Sequence, residues 1–161
     1  MENTLEELLE RLKSSYTVTR KVAARQLGES GDPRAVQALI ESLEDEDPTV
    51  RDNTAFALGQ LGTREAVLPL SKALGDSQLW VRKSAAKALG MIGDTRAVAP
   101  LTEMLQDEES LVRRSAVRSL GQLKDRSAVP HLEAARQDQS PMVRKQVEIA
   151  LQEIEGAYEG G

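Results

Sequence analysis

The sequence predicts an all-α fold, a right-handed α–α superhelix of about ten helices that forms one domain over residues 1–161. The first observation behind this prediction is a repeat: Val50, Val81, Val112 and Val143 stand 31 residues apart, each followed by arginine. Periods of this length are typical of repeat architectures in which each unit is a small helical motif. The second observation is composition, because only 2% of the residues are aromatic, which disfavours a β-sandwich or barrel.

Four more columns of residues keep this step without an insertion from Thr4 to Ile154. They comprise two leucine columns, a glycine column and a column of alanine–valine pairs. Their members are Leu27, Leu58, Leu89, Leu120 and Leu151; Leu39, Leu70, Leu101 and Leu132; Gly28, Gly59, Gly90 and Gly121; and Ala35-Val36, Ala66-Val67, Ala97-Val98 and Ala128-Val129. Because glycine allows close approach of backbones, we expect the glycine column to mark contacts between units.

Each unit is expected to contain two helices. In the third unit, apolar residues recur at the spacing of one helical face, at Val81, Ala85, Ala88, Leu89 and Ile92. Gly93 and Asp94 then interrupt the pattern, with Asp94 as the expected N-cap of the second helix. Pro69 and Pro100 lie several residues into that second helix, where a proline removes a backbone donor. We therefore expect a loose first turn or a kink there, with regular helix beginning near the proline.

The repeat register divides the chain into a half-unit, four full units, a closing helix and a short tail. The predicted bounds are 4–13 for the half-unit, 17–47, 48–78, 79–109 and 110–140 for the units, 141–156 for the closing helix, and 157–161 for a flexible tail. In the closing helix, Glu148 and Gln152 occupy columns that hold small or apolar residues elsewhere. A finite array requires a polar outer face on its terminal repeat, so we expect these residues to close a complete array.

Charge and cysteine content restrict the functional classes. The net charge of −5 argues against general affinity for nucleic acid. The chain has no cysteine, so no disulfide and no thiolate chemistry are expected. The segment from Met1 to Leu12 lacks the apolar run of a signal peptide, and no stretch approaches the roughly 20 apolar residues that span a bilayer. The expected location is cytoplasmic, without a membrane contact.

The third unit carries a specific sequence motif. From Val81 to Leu101 it reads VRKSAAKALGMIGDTRAVAPL, which resembles the HEAT-like repeat of the phycobilisome-lyase type. The resemblance covers nearly the whole chain and implies a HEAT-like, armadillo-type solenoid. That family includes bilin lyase subunits and scaffolds, and a fold alone does not specify an activity.

Aspartates and arginines form a second regular pattern. An aspartate precedes the arginine of the Val-Arg pair by six residues in Asp45 and Arg51, Asp76 and Arg82, Asp107 and Arg113, and Asp138 and Arg144. The resemblance implies that such an aspartate, in the turn between units, pairs with the arginine on the following helix. A guanidinium suits carboxylate and carbonyl acceptors, so this ladder would set the angle between units. The alternative is that these arginines bind phosphate.

The sequence contains no catalytic constellation, so we predict that the chain is not an enzyme. His131 is the only histidine, and without cysteine or a second histidine it has no partners for a transition-metal site. The repeated His-Glu pairs of iron-dependent hydroxylases built from HEAT-like units are absent. The serines lack a candidate base, and the glycines have repeat spacing rather than the spacing of a phosphate loop. No cofactor and no metal are expected.

One flank of the first helix of each unit lies outside the core pattern, and we call it the first-helix flank. In the third unit it comprises Trp80, Lys83, Ser84, Lys87 and Met91. The equivalent residues elsewhere are Val18, Lys21, Val22 and Arg25; Asn53, Phe56 and Gln60, beside Thr49 and Asp52; Leu111, Arg114, Ser115, Arg118 and Gln122; and Met142, Lys145 and Ile149. Stacking of the units aligns these residues into one surface, which the resemblance places on the concave side. The single Trp and the single Phe both lie there, among mostly basic residues.

The first-helix flank predicts a binding function. Trp and Arg are frequent interface anchors, and Met adapts to irregular partners. We therefore predict a scaffold or adaptor whose partner is a protein with acidic and apolar features. The alternatives are that the flank only covers the neighbouring unit, that it binds nucleic acid through cations and interleaved aromatics, or that the chain is a bilin lyase subunit or tetrapyrrole chaperone.

Overall fold

The computed structural model describes residues 4–159, which form ten α-helices joined by turns and short 3-10 segments. The helices are α1 (Leu5–Leu12), α2 (Thr17–Ser30), α3 (Val36–Ser42), α4 (Pro48–Leu61), α5 (Val67–Ala73), α6 (Leu79–Ile92), α7 (Val98–Glu103), α8 (Ser110–Leu123), α9 (Val129–Ala135) and α10 (Pro141–Gly156). No strand occurs among the described residues, which confirms the predicted all-α solenoid. The last two residues of the predicted tail lie outside the described residues.

A 3-10 turn precedes each short helix from α3 to α9. In the third unit, Asp94 is the predicted cap: its carboxylate accepts a hydrogen bond from the backbone N–H of Arg96 at 3.0 Å. In the second unit, the expected loose turn is Arg64–Ala66, and α5 begins two residues before Pro69. The missing N–H of the proline thus falls in the first turn, where backbone donors have no partner within the helix. Pro69 therefore removes no helical hydrogen bond.

The long helices α2, α4, α6 and α8 end in a left-handed residue. Gly31, Gly62 and Gly93 follow the first three of them with φ of 67°, 66° and 74°, a conformation that glycine adopts without penalty. At the equivalent position after α8 stands Lys124, with φ of 54°. A residue with a Cβ is strained in this region, so the fourth unit carries a local strain that the first three lack.

The core is a row of leucines between the long and the short helices. The two leucine columns are completely buried from the first unit to the fourth, at Leu27, Leu58, Leu89 and Leu120 on the long helices and at Leu39, Leu70, Leu101 and Leu132 on the short ones. Full burial of one such side chain is worth about 1.5–3 kcal/mol. Because every unit contributes an equivalent pair, the core runs through the array without a break between units.

Adjacent long helices contact each other through the glycine column. A Cβ on Gly28 would lie 2.7 Å from the Cα of Ala57, and a Cβ on Gly59 would lie 2.8 Å from the Cα of Ala88. No side chain fits at such distances in a close-packed interior, so glycine permits this helix spacing. The glycine column therefore marks contacts between units, as predicted. The short helices instead pack chiefly on the long helix that follows them.

The arginine–aspartate ladder links successive units, but its pairing differs from the expected one. Nε and Nη2 of Arg51 donate to the carboxylate of Asp76 at 2.7 and 3.0 Å, 25 residues further along the chain. Nη1 of Arg51 donates to the backbone carbonyl of Asp45 at 2.8 Å. The expectation that the Asp45 carboxylate pairs with Arg51 is therefore wrong, because Asp45 offers Arg51 only its carbonyl oxygen.

The same pairing recurs along the array. Each guanidinium places Nε 2.7 Å from a carboxylate oxygen in the turn that ends its own unit, in Arg20 with Asp45, Arg82 with Asp107, and Arg113 with Asp138. The sequence pattern had not included Arg20 in the ladder. Arg144 is the exception, since its Nη1 donates to the Asp138 carbonyl at 2.6 Å and no carboxylate of a described residue lies within 4.0 Å of it. The paired arginines have carboxylate and carbonyl acceptors already, which argues against phosphate binding by them.

The pairing lowers the pKa of three ladder aspartates, Asp45, Asp76 and Asp138. The hydrogen bond from Arg113 is the largest influence on Asp138 and holds the pKa of that carboxyl below its ordinary value of 3.8. Burial would raise the pKa of Asp45, but the hydrogen bonds from Arg20 and from the backbone N–H of Asp47 lower it overall. The folded protein thus favours the ionised carboxylates.

Candidate functional site

The first-helix flank lies on the five long helices α2, α4, α6, α8 and α10. The glycine contacts repeat in one register from helix to helix, so equivalent residues of successive units lie next to each other. Large apolar side chains are exposed there: Trp80 is 53%, Met142 54%, Met91 40% and Leu111 39% exposed. An exposed apolar patch of this kind is typical of an interaction surface.

Two lysines of α6 lie over the two aromatic rings of the flank. Nζ of Lys83 is 4.9 Å from the centre of the Trp80 ring, on the same helix. Nζ of Lys87 is 4.5 Å from the centre of the Phe56 ring, which belongs to α4 in the preceding unit. Both distances are within the range of a cation–π interaction, worth about 0.5–1 kcal/mol at an exposed site. The two rings are therefore separate features, each covered by its own lysine.

Polar side chains of the flank bond to neighbouring groups. The Ser84 hydroxyl donates to the carboxylate of Asp52, which joins α6 to α4. The amide of Asn53 donates to the carbonyl of Thr49 at 2.8 Å, within α4. Asn53 and Ser84 are both half-buried. Asn53 and Ser84 thus already form hydrogen bonds within the protein. These bonds reduce their capacity to bind a ligand.

Two further flank residues also cover the contacts between units. The Sδ atom of Met91 lies 3.3 Å from the position that a Cβ on Gly59 would take. The Oε1 atom of Gln60 lies 2.7 Å from the equivalent position on Gly28. Met91 and Gln60 are nevertheless exposed. Each side chain therefore covers part of a contact between two long helices and is exposed to solvent over the rest of its surface.

Most cations of the flank have no carboxylate partner among the described residues. Among the described residues, no carboxylate lies within 4.0 Å of the charged atoms of Lys83, Lys87, Arg114 or Arg118. Lys21 and Lys145 likewise form no ion pair with a described carboxylate, whereas Arg25 lies 3.7 Å from Glu29. The whole chain carries a net charge of −5, so this face has the opposite sign to the rest of the molecule. A surface with unpaired cations attracts anionic groups.

Three more apolar residues are exposed, and the sequence had not indicated one of them, Tyr16. Val18 is 68% exposed and Ile149 40% exposed, both on the flank. Tyr16, immediately before α2, is 74% exposed, and its repeat equivalents are the polar residues Asp47, Gln78, Glu109 and Ser140. The signal that would have found Tyr16 is that change of residue type at a helix-capping position.

The C-terminal end of the described chain is held by one tyrosine. The hydroxyl of Tyr158 donates to the backbone carbonyl of Lys124 at 3.0 Å. The guanidinium carbon of Arg126 lies 4.0 Å from the centre of the Tyr158 ring. Both contacts are made outside the repeat pattern, so no sequence column predicted them. Tyr158 thus ties the segment after α10 to the turn after α8.

Neither a metal site nor a membrane span is found in the described part of the chain. No group of three or more His, Cys, Asp or Glu side chains within residues 4–159 is arranged to hold a metal ion. His131 is exposed on α9, away from the first-helix flank. None of the described helices combines the length and the apolar character needed to cross a bilayer.

Solved structures with this architecture include an enzyme, a complex of enzyme subunits and a designed protein. The complex of CpcE and CpcF of phycocyanin lyase from Nostoc sp. PCC7120 is 27% identical, with a TM-score of 0.86 over 96% of this chain and 66% of that one. A designed armadillo repeat protein in complex with the peptide (KR)4 is 20% identical, with a TM-score of 0.70 over 93% of this chain and 81% of that one. Human deoxyhypusine hydroxylase is 17% identical, with a TM-score of 0.53 over 94% of this chain and 84% of that one. The last two likenesses show the fold alone.

Sequence comparison gives the family. No sequence among curated proteins is significantly similar to this chain. The model of HEAT repeats matches it at residues 5–86, 43–115 and 69–152. These matches overlap and extend from α1 to α10, in agreement with the 31-residue units and with the solved structures. The chain belongs to the HEAT-repeat family.

Proposed function

We propose that the chain is a non-catalytic scaffold or adaptor that binds a protein partner on the first-helix flank. The HEAT-repeat fold supports a role in protein interaction in general. One observation carries the specific proposal: exposed large apolar side chains and cations without carboxylate partners lie on the same face. The core explains neither feature, since the buried leucines lie on another side of the long helices.

A partner with acidic and apolar side chains fits this face. Its carboxylates would meet Lys87, Arg114 and Arg118, which have no carboxylate of their own within 4.0 Å. Charge complementarity of this kind speeds association and selects partners more than it adds affinity. The affinity would come from an anchor such as Trp80, because buried aromatic side chains dominate most interfaces.

The packing of the long helices supports a concave position for the flank. Long helices approach one another closely at the glycine column, whereas the short helices of neighbouring units do not pack on one another in this way. An array whose helices are closer on one side curves towards that side, and solenoid proteins use such long concave surfaces for binding. The designed armadillo protein that holds the peptide (KR)4 has the same fold, and here the sign of the charges favours an acidic segment instead.

The test is affinity capture from lysate of the source cells with a variant that alters the flank. The double variant Trp80→Ala, Lys87→Glu removes the exposed ring and reverses one unpaired charge. We expect the wild type to retain a protein that this variant loses. Circular dichroism must give the same helix content for both proteins, so that loss of capture reports the surface and not unfolding.

A matched control makes the same two chemical changes on the opposite side of the array. Leu68→Ala, Lys72→Glu removes a 70% exposed apolar side chain and reverses a lysine on α5. Among the described residues, Lys72 forms an ion pair only with the exposed Glu44, so its reversal has little effect on stability. Capture lost with the control and kept with the flank variant would contradict the proposal and assign binding to the short-helix side.

The likeness to the phycocyanin lyase complex favours a second candidate, a bilin lyase subunit or tetrapyrrole chaperone. This chain has no cysteine, so it cannot carry a thioether-linked pigment itself. Trp80 and Phe56 would have to close together on the pigment, although each ring is covered by its own lysine. Titration of the protein into a free bilin tests this directly. A change in the visible absorbance of the bilin, lost in Trp80→Ala, would favour this candidate over the scaffold, and an unchanged spectrum would reject it.

A further inference from the structure

The side chains of the flank form parallel rows across α6, α8 and α10. Trp80, Leu111 and Met142 stand at the second residue of their helices and form an apolar row. Three residues later, Lys83, Arg114 and Lys145 form a cationic row. At about 1.5 Å of rise per residue, the two rows are about 4.5 Å apart along the helix axes. A partner lying across these helices thus meets apolar groups on one edge and cations on the other.

A third row extends the charged edge. Four residues beyond the cationic row stand Lys87 and Arg118, followed by Ile149 on α10. Lys87 and Arg118 are both exposed and have no described carboxylate within 4.0 Å. The charged edge is therefore two side chains deep on α6 and α8. Positive charge is concentrated where these two helices lie side by side.

Helix α4 interrupts both rows. In the cationic row it has Asp52, where the other long helices have Lys21, Lys83, Arg114 and Lys145. In the apolar row it has Thr49. The Asp52 carboxylate accepts a hydrogen bond from Ser84, which places the negative charge at the edge of α6. An acidic partner that reached α4 would meet a like charge, and such a contact opposes binding.

The spacing of the rows selects the conformation of the partner. Packed helices lie about 8–10 Å apart, so each row offers one contact at about that interval. In an α-helix, residues seven apart lie on one face at about 10.5 Å, close to this interval. In a strand, residues on one face repeat at about 6.6–6.8 Å, which is too short. A helix with its apolar residues seven apart therefore matches the rows.

We infer that the site takes an acidic amphipathic α-helix, which lies across α6, α8 and α10 with its apolar side chains on the Trp80 row and its carboxylates on the Lys83 and Lys87 rows. Asp52 bounds the site on the side of α4. This inference rests on the proposed function and adds to it the chemistry, conformation and position of the partner. Three helices at about 8–10 Å correspond to a segment of about two heptads, or roughly 14 residues.

The probe for this inference is a fluorescein-labelled synthetic helix of two heptads plus caps, with leucine seven residues apart and glutamate on the adjoining positions. A peptide of the same composition in shuffled order, an acidic proline-rich peptide and a single-stranded DNA of equal charge serve as comparison ligands. Fluorescence anisotropy measures binding of each to the folded, full-length chain. We expect the ordered helix to bind at least about tenfold more tightly than the other ligands, since only it aligns both rows.

Variants then test the position of the site. Arg118→Glu should weaken binding of the ordered helix about tenfold or more, because it places a like charge under the carboxylates. Asp52→Lys should tighten binding about three- to tenfold and steepen its salt dependence, because it extends the cationic row onto α4. Asp52→Asn, which removes the charge without adding a cation, should fall between wild type and Asp52→Lys. Equal affinity of wild type and Asp52→Lys would overturn the boundary.

The remaining outcomes separate the inference from the proposed function. Equal binding of the shuffled peptide, or tighter binding of the proline-rich peptide, would overturn the inference of an amphipathic helix. The proposed function would be retained if the wild type still captured a protein that the double variant loses. Tightest binding of DNA, with steep loss of affinity in salt, would overturn both. No binding of any probe, together with a protein captured from lysate by the wild type and lost by Trp80→Ala, Lys87→Glu, would overturn the inference alone.

Discussion

Arg82 holds the carboxylate of Asp107 through two parallel hydrogen bonds, from Nε at 2.7 Å and from Nη2 at 3.1 Å. Its third nitrogen, Nη1, donates to the carbonyl of Asp76 at 2.9 Å. Arg82 is only 8% exposed. One guanidinium thus joins the turn that ends the preceding unit to the turn that ends its own unit. A two-point pair of this kind fixes orientation as well as distance.

Removal of the Asp107 carboxylate should destabilise the array. In Asp107→Ala, the largely buried Arg82 loses its charged acceptor, and we expect a loss of about 3 kcal/mol, between the values of exposed and fully buried pairs. Urea unfolding monitored by circular dichroism measures the change. The control is Glu108→Ala, because the Glu108 carboxylate lies 3.7 Å from Arg82 but is 84% exposed. Equal effects of the two substitutions would refute the structural role of the ladder.

The lowered pKa values predict a loss of stability in acid. A carboxyl whose pKa is lowered by folding stabilises the protein above its ordinary pKa of 3.8, and this contribution is lost as the pH falls through the folded value. The hydrogen bond from Arg96 lowers the pKa of Asp94 to about 2. We therefore expect the melting temperature to fall between pH 4 and pH 2. In Asp94→Asn this fall should be shallower than in the wild type, and an identical slope would contradict the assignment.

Gly90→Leu should force α6 and α8 apart. A Cβ on Gly90 would lie 2.7 Å from the Cβ of Ser119, whose hydroxyl bonds to the carbonyl of Ala86 at 2.8 Å. Overpacking of this kind costs about 1–3 kcal/mol, more than the roughly 0.8–1.0 kcal/mol that leucine gains over glycine within a helix. Gly75→Leu is the control, since a Cβ on this exposed glycine would meet only the Lys72 carbonyl, at 3.4 Å. A lower melting temperature for Gly90→Leu alone is the expected result, and unchanged melting of both would disprove the packing account.

Lys124→Gly should stabilise the fourth unit. Lys124 has φ of 54°, where Gly31, Gly62 and Gly93 stand in the other units. Relief of left-handed strain is worth about 1–2 kcal/mol, and the greater freedom of glycine in the unfolded chain offsets about 0.5–1 kcal/mol of it. We expect a net gain of about 0.5–1 kcal/mol in thermal or urea unfolding. Lys124→Ala, which keeps the strain, should show no such gain, and equal stabilisation by alanine would assign the effect to the lysine charge.

Trp80→Ala should change binding and not folding. Trp80 is 53% exposed and has one cation–π contact, with Lys83, so we expect a stability loss of at most about 1 kcal/mol. Helix content by circular dichroism should match the wild type, while partner capture is weakened. Cooperative unfolding at a much lower temperature would instead make Trp80 a core residue and remove it from the proposed site.

The repeat made most of the fold predictable. A step of 31 residues, together with apolar residues at helical spacing, was enough to indicate paired helices, the buried leucine columns and the glycine contacts. Asp94 as a cap followed from its side-chain chemistry and its place after Gly93. These features are local or repeat with the unit, and therefore a pattern within one chain contains them.

The partner of each ladder arginine was not predictable in the same way. In an array of 31-residue units, an aspartate six residues before an arginine and one 25 residues after it belong to the same column. The spacing alone therefore cannot distinguish Asp76 from Asp107 as the partner of Arg82. The packing of the helices within one unit decides, because it brings the turn that ends the unit over the guanidinium, while the turn before the helix offers only a carbonyl.

The sequence by itself determined the all-α repeat, its period, its core and the set of variable residues on one helix flank. Tertiary structure alone decided which of those residues remain available to a partner. Lys87 contacts Phe56 across the boundary between two adjacent units, and Ser84 contacts Asp52 across the same boundary. Each contact joins residues about one unit apart that become neighbours only when the long helices stack. The physical reason is that helical periodicity specifies which side of a helix is buried, whereas contacts between side chains depend on the distance and register of the packed helices.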